Sequence, residues 1–260
     1  MNSVLMQVNE GVALITLNRP EAFNAFNLEL FKLLKETVTA CFAPEIRAVV
    51  LTGAGKAFCS GGDLRAMSAA PKEDLPNLLR ELTELFHSVI TDLRLLPKPV
   101  IAAINGPAGG GGFSLALACD LRYAVPTARF KQAYTSAALC PDGGFSALLP
   151  AMIGFSRTSQ LLFLDPVLDA QTAKEWGIVQ DIFAEESFLA KISAIAARLA
   201  NGPTLSFARA KAILNESLLP HLEKILELEQ QGMVEAGQTE DALEGIEAFF
   251  AKRSPVYHAR

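Results

Sequence analysis

The first half of the chain shows short apolar runs alternating with amphipathic stretches. Residues 4–8 and 12–17 read as two strands joined by a turn at Glu10-Gly11. "NRPEAFNAFN" reads as a loop, and Asn27 stands where a helix N-cap belongs, ahead of an amphipathic helix to about Phe42. "RAVVLTG" is an apolar run ending in glycine, "AGKAFCSGGDL" a loop, and apolar positions recur at helical spacing over residues 75–95. "PVIAAING" is a further apolar strand, followed by a glycine run, a helix and the strand "LRYAV". Strand and helix alternate along this half of the chain. The pattern predicts an α/β fold with parallel strands covered on both faces.

The pattern changes after Trp176. From Glu185 onward only helical spacing recurs, in "LAKISAIAARLANG", "TLSFARAKAILNESL", "LEKILELEQQGMVE" and "TEDALEGIEAFFAKR", with Gly202-Pro203 and Leu219-Pro220 as punctuation. This divides the chain into an α/β core, residues 1–195, and a helical region, residues 196–260.

Composition narrows the class. With 260 residues, half of them hydrophobic, the chain can bury a full core. A net charge of -5 argues against a nucleic-acid partner. No run of about 18 apolar residues stands out, so no membrane span is expected. "MNSVLMQVNE" lacks the basic region of a signal or transit peptide. Cys41, Cys59, Cys119 and Cys140 show no paired spacing, which predicts reduced thiols in a cytoplasmic protein rather than a disulfide framework or a metal site.

The candidate chemistry begins at "INGPAGGGGFSLALACD", residues 104–120. Gly106 and Gly111 have phosphate-loop spacing, but Gly112 and Phe113 follow where lysine and a hydroxyl are required. The dinucleotide fingerprint fails at Ser114 or Leu115, where its third glycine belongs. Two readings remain. The run is a tight strand-to-helix connection, or it is an anion hole presenting free N–H groups at a helix N-terminus. A second glycine turn after an apolar strand, "KAFCSGGDL", suggests two backbone donors facing one cavity.

Taken in order, "LNRPEAFNAF", "VLTGAGKAFCSGGDL", "PKPVIAAINGPAGGGGFSLALACDLRYA", "PDGGFSALLP", "AKEWGIV" and "FFAKRSP" resemble the crotonase (enoyl-CoA hydratase/isomerase) superfamily over nearly the whole chain. The "PDGG" loop and "AKRSP" tail are most similar to bacterial phenylacetate-pathway enoyl-CoA isomerases. The resemblance implies a core of ββα turns, a C-terminal helical region that drives assembly of a homotrimer or a dimer of trimers, and an acyl-CoA thioester substrate. It puts the oxyanion donors on the backbone N–H groups of Gly62 and Gly111. It lays coenzyme A along Ala22, Phe23, Ala57, Ser60, Gly61, Asp63 and Leu64. Lys252 is then a phosphate contact or a solvated surface lysine. The segment from Met67 to Leu79 is expected to be a mobile wall of the acyl site. Met67, Phe113, Tyr134 and Phe145, with Ser114, are expected to line the acyl pocket or to serve the core.

Hydratases of the superfamily use two glutamates, and those positions fall here on Ser114 and Tyr134. Neither is a carboxylate, and a tyrosine is a poor base near neutrality. The remaining carboxylate is Asp142 in "LCPDGGFS", a helix N-cap by its local sequence and an acid-base group by the resemblance. One carboxylate suffices to shift a double bond from a 3-enoyl-CoA to a 2-enoyl-CoA, with no metal and no cofactor besides the coenzyme A of the substrate. The alternatives are a hydratase with an altered site, a silent acyl-CoA-binding scaffold, and a dehalogenase or thioester hydrolase with Asp142 as nucleophile. By the resemblance the dehalogenase wants an aromatic ring clamp and a histidine base; His87 lies near the relevant helix but one turn too early, and His221 and His258 lie in the tail. Asp120 is expected to cap or pair within the core, with Arg122 as its candidate partner.

Overall fold

Residues 2–260 are described by a computed structural model. The first two strands, β1 (Val4–Asn9) and β2 (Val12–Leu17), form an antiparallel hairpin. Helix α1 (Leu28–Ala40) starts where expected, because the Asn27 side chain accepts the Leu30 N–H at 2.9 Å. Strand β3 (Ala48–Gly53) is wholly buried and runs parallel to β2. The loop that follows turns into α2 (Leu64–Ala69), capped by the Asp63 carboxylate, and then into the long α3 (Leu75–Leu95). Strand β4 (Val100–Ile104) is parallel to β3 and equally buried, as a strand covered on both faces must be.

The glycine run forms β5 (Ala108–Gly109) and opens α4 (Gly111–Ala118), in which every residue is buried. Then come β6 (Leu121–Ala124), β7 (Arg129–Lys131), α5 (Phe145–Leu164), β8 (Leu168–Asp169), α6 (Ala170–Glu175) and β9 (Asp181–Ile182). The six-stranded sheet has the order β1-β2-β3-β4-β6-β9, parallel apart from the hairpin. A small second sheet, β5-β7-β8, holds the glycine run against the loop after β6. Among the described residues α5 is the one helix long and apolar enough to cross a membrane. It is broken at Gly154, and its Phe145, Leu148 and Leu149 belong to the core.

Four helices complete the chain: α7 (Glu185–Ala200), α8 (Thr204–Leu218), α9 (Leu222–Ala236) and α10 (Glu240–Ala251). The division at residue 195 falls inside α7, which packs on β2, β3 and β4. Helix α9 returns to α3 and α5, and α10 to α2. The C-terminal helices therefore share the core of their own chain.

Asp120 is an anchor for this arrangement, but its partner is not Arg122. The buried Lys211 of α8 donates to Asp120 Oδ2 at 2.8 Å and to the Leu93 carbonyl at 2.7 Å, while Arg94 donates to Asp120 Oδ1 at 3.0 Å. Arg122 donates instead to the carbonyls of Cys119 and Ile178. Asp120 stands just before β6, the Arg122 guanidinium is already engaged by two carbonyls, and the partner comes from 91 residues further along. A Lys211→Met variant is expected to lose about 2 kcal/mol, the worth of charge-assisted hydrogen bonds. A lowered urea midpoint with an unchanged slope checks this.

Candidate active site

Two turns meet at the carboxyl ends of β3 and β4. Gly109 N–H donates to the Cys59 carbonyl at 2.9 Å, and a Cβ placed on Gly61 would stand 3.1 Å from the Gly111 nitrogen. The first turn is zipped to residues 23–26: Ser60 N–H donates to the Phe23 carbonyl at 3.0 Å, Phe26 N–H to Gly61 at 2.7 Å, and Asp63 N–H to Phe26 at 2.9 Å. The buried Asn24 side chain donates to the carbonyls of Ala54 and Ala57, and Arg19 pairs with Asp63 at 2.9 Å. Gly62 sits between the bridging hydrogen bonds with its N–H turned away from Phe26, and Gly111 is the first residue of α4. Among the described residues, neither the Gly62 nor the Gly111 N–H has an acceptor. Two adjacent free donors, one at a helix N-terminus, form a local positive field suited to an oxyanion.

The residues expected along coenzyme A come together in part. Ala22, Phe23, Ala57, Ser60, Gly61, Asp63 and Leu64 lie on the two zipped segments, and the Phe23 ring is 57% exposed beside Ser60. Lys252 is the exposed C-cap of α10.

Asp142 lies on the turn leading into α5, 4% exposed. The hydroxyls at the two positions where hydratases would carry glutamate both engage its peptide. Ser114 Oγ donates to the Asp142 carbonyl at 2.7 Å, and the Tyr134 hydroxyl is 3.0 Å from both that carbonyl and Ser114 Oγ. Burial first, then the Asp142 charge, holds the Tyr134 phenol well above its ordinary value, so it is no base at neutral pH. The carboxylate itself meets His87: Nε2 is 2.5 Å from Oδ1. This corrects the expectation that His87 falls one turn short. His87 follows Phe86 on the buried face of α3, and the Phe86 ring packs so tightly against the turn that a Cβ on Gly143 would lie 2.2 Å from it. Gly143, at φ 71°, is thus required both by backbone conformation and by this approach, and it draws α3 onto Asp142. Asp142 Oδ2 has no hydrogen-bond partner among the described residues and is not sealed from solvent.

Sequence reasoning missed Glu229 of α9, which is 3% exposed. Its two oxygens accept the N–H groups of Gly144 and Ser146, each at 2.7 Å. Burial, followed by the charge of Asp142, pushes its carboxyl up to about 7. A signal was present: Leu226, Glu229 and Met233 share one buried face, so a glutamate occupies an apolar register position. His87, Asp142 and Glu229 offer three donor atoms within 4.8 Å of one another, but these are already engaged with each other and with backbone N–H groups rather than arranged around an ion.

The acyl-pocket residues divide. Met67 covers Gly62, where a Cβ would meet its methyl at 2.7 Å, and it borders a cavity of about 270 Å³ between α2 and α10. Phe113 and Phe145 are core residues instead, with ring centroids 5.6 Å apart in an edge-on contact, and Ser114 is equally enclosed. Tyr134 closes the same cluster against Phe145.

Residues 7–260 match the enoyl-CoA hydratase/isomerase family. The chain is 36% identical to a 1,2-epoxyphenylacetyl-CoA isomerase of Escherichia coli K12, over 99% of this chain and 98% of that protein. It is 34% identical to a 4-chlorobenzoyl coenzyme A dehalogenase of Arthrobacter, over 89% of this chain and 84% of that one. The crystal structure of an enoyl-CoA hydratase from Mycobacterium avium subsp. paratuberculosis superposes with a TM-score of 0.90 at 32% identity, covering 98% of each chain.

Proposed function

We propose, from the premise that this chain belongs to the enoyl-CoA hydratase/isomerase family, that it converts a 3-enoyl-CoA to the conjugated 2-enoyl-CoA with Asp142 as acid and base. One observation carries the reading. The two positions that would hold hydratase glutamates present hydroxyls turned onto the Asp142 peptide, leaving Asp142 Oδ2 as the free carboxylate oxygen. Oδ2 takes a proton from C2, and the electron pair moves to the thioester oxygen. The Gly62 and Gly111 N–H groups stabilise that charge. The dienolate takes the same proton back at C4 and the double bond moves to C2–C3. One proton moves and nothing is oxidised or reduced, so coenzyme A enters only as part of the substrate. It would lie along Phe23, Ser60 and Leu64, with Met67 against the acyl chain. The His87 hydrogen bond fixes the carboxylate rotamer and leaves the other oxygen for substrate. The exposed Leu205, Ile213, Leu214 and Leu218 of α8 give an apolar face consistent with a trimer or a dimer of trimers.

Turnover of a matched panel tests this. A 3-enoyl-CoA is expected to gain conjugated-enoyl absorbance, while crotonyl-CoA and aromatic acyl-CoA esters stay unchanged. Loss of absorbance from crotonyl-CoA would make the protein a hydratase. His87 favours a second reading, in which Asp142 attacks the substrate and a water deprotonated by His87 cleaves the resulting ester. In a single turnover of an aromatic acyl-CoA, a trapped aspartyl aryl ester with release of halide, or an aspartyl mixed anhydride with release of free coenzyme A, would select that reading.

A further inference from the structure

The double-bond shift makes no use of the carboxylate that lies nearest to Asp142. Glu229 reaches the site from α9, far along the chain, and both of its oxygens are held by the first N–H groups of α5. Gly144, the N-cap residue of α5, has no side chain with which to cap it, so Glu229 performs that task from another helix. The same turn carries Asp142, two residues earlier. A carboxylate oxygen of each acid and a ring nitrogen of His87 lie within 4.8 Å of one another.

The groups that face Glu229 come from every side. The loop before α5 presents Asp142 and Cys140, α3 presents His87, and Tyr134 stands behind Ser114. Helix α5 presents the positive end of its dipole. Burial first, then the charges of Glu229 and Asp142, pushes the Cys140 thiol up to about 11. Burial first also holds the Tyr134 phenol well above its ordinary value. Cys140 and Tyr134 therefore keep their protons near neutrality, whereas Glu229, pushed up to about 7, exchanges its own there.

We propose that Glu229 is a positioning residue for Asp142: it fastens the turn at 142–144 to α9 and sets a second carboxylate charge behind the base. The C-terminal helical region then completes the site of its own chain, whatever else it does in assembly. When Glu229 is ionised, two carboxylate charges face each other across the turn; when it is protonated, that repulsion is absent. The inference rests on the reading of Asp142 as the base.

Glu229→Gln and Glu229→Asp separate the two contributions. Gln keeps the shape but not the charge, and its amide meets one backbone N–H with a donor. For Gln, kcat for the 3-enoyl-CoA is expected to fall by about 10²-fold, as for a misplaced catalytic group, with KM within about two-fold. The ionisation near 7 should disappear from its rate profile. Asp restores the charge without the reach, so that ionisation returns while part of the rate loss remains. A measurement free of substrate accompanies these. Carboxyl carbon NMR of the labelled protein should show Glu229 titrating near 7, and Asp142→Asn should move that midpoint down toward the ordinary glutamate range. Wild-type kcat and an unchanged rate profile in Glu229→Gln would overturn the positioning role while leaving Asp142 as the base. A Glu229 midpoint indifferent to Asp142→Asn would also overturn it. Full turnover by Asp142→Asn would instead remove the reading on which it rests.

Discussion

Asp142→Asn is expected to lower kcat for a 3-enoyl-CoA by about 10²–10⁴-fold, the contribution of a positioned general acid-base group, while coenzyme A esters bind almost as before. The substitution is nearly isosteric. Its main-chain carbonyl still accepts from Ser114, and an amide oxygen can still accept from His87. What disappears is the basic lone pair at the position of Oδ2. The segments expected to hold coenzyme A are fastened by their own bonds, from Phe23 to Ser60 and from Phe26 to Gly61, and none passes through residue 142. Turnover and ester binding should therefore separate, with steady-state kinetics reading the first and calorimetric titration of a saturated acyl-CoA the second. Near wild-type turnover would sink the assignment of Asp142. Parallel losses in turnover and binding would point to a collapsed turn rather than a missing base.

The parts of this site that were legible in the sequence share a physical property: their local pattern is strong. Strands β3 and β4 are largely apolar runs because both of their faces are covered, and β2 alternates because only one of its faces is fully buried. Asn27 and the residues after it spell a capped amphipathic helix. Asp142 stands out as a charge between proline and glycines in an apolar stretch. Helix α3 was legible too, but not the angle at which it meets α5, and that angle decides whether His87 reaches Asp142. Contact between Phe86 and Gly143 sets it, and neither residue announces the other in sequence. Glu229 and Lys211 are charges placed on buried helix faces whose partners lie far away in the chain. Periodicity registers them only as interruptions. Strands β5, β8 and β9 have two residues each, too few for any period to show.

Gly112→Ala is expected to be the most damaging single change to the scaffold of the site, costing about 3 kcal/mol or more, at the upper end for overpacking a buried position. The new Cβ would lie 2.2 Å from the Cys59 carbonyl oxygen and 2.7 Å from Cys59 Cβ. That backbone cannot yield alone. Its carbonyl accepts from Gly109 N–H at 2.9 Å, and its thiol donates to the Asn24 carbonyl at 3.1 Å. Any relief must push the loop that carries Gly61 and Gly62 away from Gly111, and so pull the two free N–H groups apart. Losing one such donor costs about 10²–10³ in rate, so surviving folded protein should also be slow. Gly109→Ala is the contrasting case. Its Cβ would stand 3.2 Å from the Ser60 carbonyl oxygen, a crowding that a shift of a few tenths of an ångström relieves, and it should cost about 1 kcal/mol. Urea unfolding of the pair, with turnover measured on the same samples, reads both effects. Equal stabilities would mean that the run is glycine for a reason other than the approach of Cys59. A gap of the expected size would show that the run brings two backbone turns into contact, and that the spacing of the paired donors follows from that contact.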